Sequence, residues 1–197
     1  MISVYQLKPA FQRLLSPLLA RLRAAGVTPN QLTLAALGFS ALAGWLLSLH
    51  PAWPPALLLF PLCLLLRMAL NALDGMMART YQMQSRRGEI LNELGDVLSD
   101  LLMYWPLAVQ ASPVWGYGFL MGLILNEFAG VLGKAAGGAR RYDGPMGKSD
   151  RALLAGLFCI AAWAWPPAWQ ALEYVLGAAI GLMALSATLR LLRTFGA

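Results

Sequence analysis

Two carboxylates and two carboxamides, Asp74, Asp96, Asn71 and Asn92, stand at spacings that align their oxygens along two helices. Oxygen ligands of this kind suit Mg²⁺, Mn²⁺ or Ca²⁺. All four lie in RMALNALDGMMARTYQMQSRRGEILNELGDVLSD, residues 67–100, which holds five of the nine acidic residues of the chain. Arg67, Asn71, Asp74, Gly75 and Ala78 follow at steps of four, three, one and three, so about 100° per residue places them on one helical face. Arg79 lies just beyond. Gly88, Asn92, Gly95, Asp96 and Ser99 form a second small and polar face, with Glu89, Glu93 and Asp100 close beside it. The plainer reading is that the acids cap helices, and Glu89 and Glu93 do fall in a first turn, where the helix dipole favours them. Asp74 is different: it sits inside an apolar run, where an ionisable group is a functional hypothesis by default.

The elements that must position these residues are apolar. The chain of 197 residues is 59% apolar and 12% charged, with a net charge of +6, against about 25% charged residues in a soluble domain. Lipid is therefore the expected solvent. Six apolar runs, 31–49, 55–78, 89–110, 113–133, 149–165 and 168–190, mostly approach the ~20 residues that a span requires. Residues 2–24 space Val4, Leu7, Phe11, Leu14, Leu18 and Leu22 at three or four, with Lys8, Arg13, Arg21 and Arg23 between them. This predicts a basic amphipathic helix lying on an anionic leaflet. The fold expected is all-α: one membrane domain over 1–197, with six spans and one interfacial helix. Connections 50–54, 111–113 and 166–167 contain no Lys or Arg, whereas 79–88 and 134–148 are basic, so the termini and the polar stretch are expected on the cytoplasmic side. A nucleic-acid partner would need a soluble basic face with aromatics, and none is seen.

Outside that stretch, the 134–151 connection gathers Lys134, Arg140, Arg141, Lys148 and Arg151. Arg140 and Arg141 read as topology determinants and head-group contacts. Lys148 and Arg151 flank Ser149 and Asp150, either of which can cap the following helix, and read as anion contacts. Glu127, mid-span beside Asn126, has three open readings: a partner of Arg67, a pocket lining, or a protonated acid between protomers. Cys63 and Cys159 are far apart in apolar runs and read as packing, as His50 does at a segment end. Six Trp residues, Trp53, Trp105, Trp115, Trp163, Trp165 and Trp169, lie near the outer ends of the runs as an interfacial belt. Gly177 and Gly181 suggest close helix packing.

Asp74-Gly75-x-x-Ala78-Arg79, eight residues, Gly88, three residues, a polar ligand, three residues and Asp96 together resemble the signature of the CDP-alcohol phosphatidyltransferases. Thr28-Pro29-Asn30-x-Leu32-Thr33 and the six runs extend that resemblance over essentially the whole chain. It implies transfer of a phosphatidyl or other phospho-alcohol group from a CDP-alcohol, most often CDP-diacylglycerol, to a hydroxyl acceptor with release of CMP. It implies a bacterial inner-membrane location, a homodimer, and Mg²⁺ or Mn²⁺ held at the positions of Asn71, Asp74, Asn92 and Asp96, with Asp96 as general base. Asp74, Gly75, Ala78, Arg79 and Gly88 would bind the nucleotide. Gly147-Lys148-Ser149 is similar to a region that lines the acceptor pocket in several members, so Lys148 and Arg151 would meet the acceptor or a phosphate. The family pattern has four aspartates; here the first and third are Asn71 and Asn92. Three consequences stand open: fewer or weaker metals, substitution by Glu93 or Asp100, or a catalytically impaired CDP-lipid-binding regulator or scaffold. A transporter is disfavoured, because no pair of spans carries broken-helix repeats.

Overall fold

A computed structural model describes residues 8–196. The described residues form seven α-helices and a short 3-10 helix, without strands: α1 (Lys8–Ala24), α2 (Pro29–Ser48), α3 (Ala56–Thr80), α4 (Arg86–Ala108), α5 (Pro113–Ala135), α6 (Lys148–Ala164), a 3-10 turn at Pro166–Ala171, and α7 (Leu172–Phe195). Residues 2–7 of the expected interfacial helix fall outside the described residues. The expected bounds differ from the observed ones chiefly at the end of the chain. The last run begins as a 3-10 turn because Pro166 and Pro167 offer no backbone donors, and α7 then continues five residues past Arg190.

Four segments are long and apolar enough to cross a membrane: Pro29–Ser48, Ala56–Thr80, Pro113–Ala135 and Pro166–Phe195. The other two expected spans differ in kind. α4 carries Arg86, Arg87, Glu89, Glu93, Asp96 and Asp100, and α6 has only 17 residues. The polarity pattern is that of a protein built for lipid. Leu42, Leu62, Leu65, Leu125, Leu157 and Leu185 are exposed, whereas Arg67, Asp74, Asp100, Asn126, Glu127, Arg151 and Arg190 are buried.

The described residues divide into two compact units, 8–103 and 104–196. In the first, α1 ends at Gly26, whose φ of 79° a Cβ would strain. Leu15 and Leu19 of α1 then pack on Leu32, Leu73, Met76 and Met77 of α2 and α3. Thr28 starts α2 with a reciprocal cap: its hydroxyl oxygen accepts from the Gln31 amide at 3.4 Å, and its own amide donates to Gln31 Oε1 at 2.9 Å. The Thr-Pro-Asn-Gln stretch is thus a helix start with Pro29 at the first helical position. Gly44 lets the α2 backbone lie against the Leu102 carbonyl of α4, where a methyl group would overlap it.

In the second unit, glycines of α5 and α7 seat opposing side chains. Gly118 faces Ile180, Gly122 faces Met183, and Gly177 faces the Trp115 ring. Gly181, expected to share this packing, looks onto open space. The loop before α6 is clasped to α7, with Ser186 Oγ donating to the Asp143 carbonyl at 2.8 Å.

Candidate active site

The short connection between α3 and α4 turns at Gln82, in a left-handed conformation with φ 53°, and makes the two helices antiparallel neighbours. Asn71 and Asp96 meet directly: Asn71 Nδ2 donates to Asp96 Oδ1 at 2.6 Å. Arg67, one turn before Asn71 and wholly buried, reaches the same region. Its Nη2 lies 2.6 Å from Asp100 Oδ1 and 3.8 Å from Asp96 Oδ1, and donates to the Asp96 carbonyl oxygen at 3.1 Å. Asp74, one turn after Asn71, is buried and accepts from the Thr33 hydroxyl of α2 at 3.0 Å. Gly95 admits that threonine, because a Cβ there would stand 3.1 Å from its methyl group.

These contacts define two kinds of acid. Asp100 is buried and ion-paired with Arg67, whereas Asp96, Asn92 and Glu93 are half-buried. Glu89 is exposed in the first turn of α4, as a capping acid would be. Arg79 is exposed and folds back over Gly75, where a Cβ would stand 3.2 Å from Arg79 Nη1. Ala78 is half-buried on the same turn. Gly88 faces the Asn30 side chain, so its missing Cβ makes room for the first turn of α2. Its amide donates to Ser85 Oγ at 3.0 Å, capping α4. Among the described residues, no three His, Cys, Asp or Glu side chains gather as a metal-holding group.

The second unit holds the other charged cluster. Glu127 of α5 pairs with Arg151 of α6 and with Arg140 of the preceding loop, both at 2.8 Å. The alternative that Glu127 pairs with Arg67 gives way to these partners. Arg140, read from the sequence as a topology charge, is half-buried in an ion pair with Glu127 and stacks on Tyr142 at 4.5 Å. Arg141 donates to the Arg193 carbonyl at 2.8 Å. Lys148 opens α6, half-buried, and the Asp150 carboxylate accepts from the Gly147 amide at 3.2 Å to cap that helix. Arg190, which the sequence analysis did not single out, is buried and donates to the carbonyls of Asp143 and Asn126. Its only sequence signal is an arginine at the end of an apolar run. Thr33 entered the sequence analysis only within the Thr28–Thr33 stretch that extends the resemblance.

Residues 26–190 match the family described as CDP-alcohol phosphatidyltransferase. The chain is 48% identical to Inner membrane protein YnbA of Escherichia coli (strain K12) over 167 residues, covering 84% of this chain and 83% of that protein. An uncharacterised protein of Aquifex aeolicus (strain VF5) is 32% identical over 124 residues, 63% of this chain and 59% of that one. The fold is similar to that of Mycobacterium tuberculosis phosphatidylinositol phosphate synthase (PgsA1) with CDP-DAG bound, at a TM-score of 0.75 and 20% identity, covering 93% of this chain and 94% of that one. The same enzyme in complex with manganese and citrate gives a TM-score of 0.74 at 20% identity, covering 91% of this chain and 88% of that one.

Proposed function

The chain belongs to the CDP-alcohol phosphatidyltransferase family, and from that premise we propose that it transfers a phosphatidyl group from CDP-diacylglycerol to a hydroxyl acceptor, releasing CMP. The observation that carries this reading is the 2.6 Å contact between Asn71 and Asp96. It joins the two halves of the signature, from α3 and α4, at one point.

In this reading the acceptor oxygen bonds to the phosphorus that bears diacylglycerol. The bond from that phosphorus to the bridging oxygen breaks, CMP leaves with that oxygen, and the acceptor proton passes to Asp96. A well-placed general base is worth typically ~10²–10⁴ in rate. Asn71 orients the Asp96 carboxylate, and Arg67 anchors the Asp96 backbone from within the protein. Arg79, exposed beside Gly75, meets the donor phosphates, while Gly75 and Ala78 keep that face low for cytidine. Gly88 acts indirectly, by letting the first turn of α2 at Asn30 approach the start of α4. Lys148 and Arg151 are read as contacts to the acceptor or to a phosphate.

The donor set fits a divalent cation, Mg²⁺ or Mn²⁺, but with reduced charge. Two carboxylates, Asp74 and Asp96, balance one dication, and Asn71 and Asn92 add neutral oxygens. Asp100 pairs with Arg67, and Glu93, half-buried on the same helix, is the other nearby acid. When bound, such an ion neutralises charge that develops on the pyrophosphate. Six spans, with α4 and α6 completing the four apolar segments and α1 on the cytoplasmic leaflet, would keep the acyl chains in lipid and this polar layer at the interface.

The test is CMP release by the purified protein with CDP-diacylglycerol, Mg²⁺ or Mn²⁺, and pooled alcohols. Metal- and acceptor-dependent release supports the reading. Saturable CDP-diacylglycerol binding without release under any metal or acceptor supports a regulator or scaffold instead, the reading that Asn71 and Asn92 favour.

A further inference from the structure

We propose that Thr33 is a positioning residue for the divalent-cation site, holding the Asp74 carboxylate in place from α2; this rests on the reading above in which Asp74 serves a cation. The Thr33 hydroxyl oxygen lies 3.0 Å from Asp74 Oδ2, and both residues are buried, at 6% and 4% exposure. It also lies 3.2 Å from the Pro29 carbonyl four residues back, the usual partner of a threonine within a helix. A hydroxyl has one proton to give, and an ionised carboxylate only accepts, so the proton goes to Asp74. That contact is the shorter of the two and, with a charged acceptor, the stronger.

The start of α2 sets where this side chain stands. The reciprocal cap between Thr28 and Gln31, with Pro29 at the first helical position, defines the first turn, and Thr33 follows one turn after Pro29. Its hydroxyl meets α3 at Asp74, while its methyl group meets α4. A Cβ on Gly95, the neighbour of Asp96, would stand 3.1 Å from that methyl carbon, so the glycine lets α4 come this close. One side chain of α2 thus touches both helices that carry the signature, through a polar contact on one and an apolar contact on the other. Carboxylates that ligate metals are themselves held by outer hydrogen bonds, which fix their orientation. A hydroxyl suits this role because it brings no charge. It steadies Asp74 without neutralising it, whereas Arg67 neutralises Asp100.

Mn²⁺ binding by the full chain in detergent micelles tests this, read from the electron paramagnetic resonance signal of the free ion. Thr33→Val keeps the shape and loses the hydroxyl; Thr33→Ser keeps the hydroxyl and loses the methyl group. Thr33→Val is expected to weaken Mn²⁺ binding by about 10–100-fold, and Thr33→Ser to stay near native. Native affinity in Thr33→Val overturns the inference, whatever its thermal midpoint in chelator, because a tie that serves packing alone moves stability and not affinity. Binding as weak in Thr33→Ser as in Thr33→Val overturns it too, since the methyl group would then carry the effect. Should Thr33→Val not fold, Thr33→Ala, which also lacks the hydroxyl, is judged by the same criterion. Absence of saturable Mn²⁺ binding by the native protein overturns the inference as well, and CMP release in chelator then decides the transferase reading separately. Conversely, the expected affinities in a protein that releases no CMP uphold the role of Thr33 and turn the function to the regulator or scaffold.

Discussion

Replacing Asp100 with leucine should destabilise the protein severely, and replacing Arg67 as well should restore most of the loss. The pair is as buried as any in the molecule, with Arg67 at 0% and Asp100 at 1% exposure and 2.6 Å between Nη2 and Oδ1. Removing one member strands the other charge in a medium that cannot solvate it, which costs about 3–5 kcal/mol. Arg67→Met together with Asp100→Leu removes both charges and keeps the volume, an exchange that is often neutral or better. Arg67 also donates to the Asp96 carbonyl, so the double variant should still lose about 1 kcal/mol for that hydrogen bond. The coupling between the two sites should then exceed about 2 kcal/mol, within the range of residues in direct contact. Unfolding by SDS in mixed micelles, followed by tryptophan fluorescence, measures all four corners of the cycle. Single variants that each lose under about 1 kcal/mol, or whose losses simply add, would refute the reasoning. The folded double variant also separates structure from chemistry: it should bind Mn²⁺ as the native protein does but turn over more slowly, because Asp96 has lost its anchor.

Three further outcomes follow from the same geometry. Asp96→Asn should lower CMP release by about 10²–10⁴ while CDP-diacylglycerol binding stays near native; full activity in that variant rules out Asp96 as the base. Asn71→Asp with Asn92→Asp adds two carboxylates around Asp96, so the variant should be less stable than the native protein in chelator and gain more stability from Mn²⁺. An unchanged Mn²⁺ titration means that these positions do not face the cation. Gly44→Ala should destabilise by about 1–3 kcal/mol or more, as overpacking does, because its methyl group overlaps the Leu102 carbonyl; a native thermal midpoint would mean that α2 and α4 separate there without cost.

The helices were legible because their boundaries are written in residues of strong local effect. Pro29, Pro55 and Pro113 start or precede helices, and the apolar runs between them have the lengths that the structure shows within a few residues. The meeting of Asn71 with Asp96 was legible for a related reason. Steps of three and four fix a face without knowledge of the partner helix. What spacing does not encode is rotation between helices and the reach of long side chains. Arg67 could have faced Asp100, Asp96 or Glu127, and only packing assigned it to α4. Arg190 and Arg140 were obscured differently: an arginine at the end of an apolar run looks like a topology charge whether it ends at a head group or at a carbonyl inside the protein. Asp100 looked like a spare ligand because its helical angle is right; its ion pair depends on the depth at which Arg67 lies.

The burial of Arg67 also bears on how the chain enters the bilayer. A helix carrying arginine and aspartate near its middle enters lipid alone at a cost of roughly 2.5–3.5 kcal/mol for each such residue. α3 carries Arg67 and Asp74, and the partner that neutralises Arg67 arrives only with α4, after a five-residue turn. As a span, α4 would have the converse difficulty, since Asp96 and Asp100 would enter without a cation of their own at that depth. If α4 crosses the membrane with α3, as the six-span reading has it, the two helices would be poor passengers singly and compatible as a hairpin, and residues 56–108 would enter as one unit. A substitution at Asp100 would then reduce the amount of protein that reaches the membrane before it affected any that had folded.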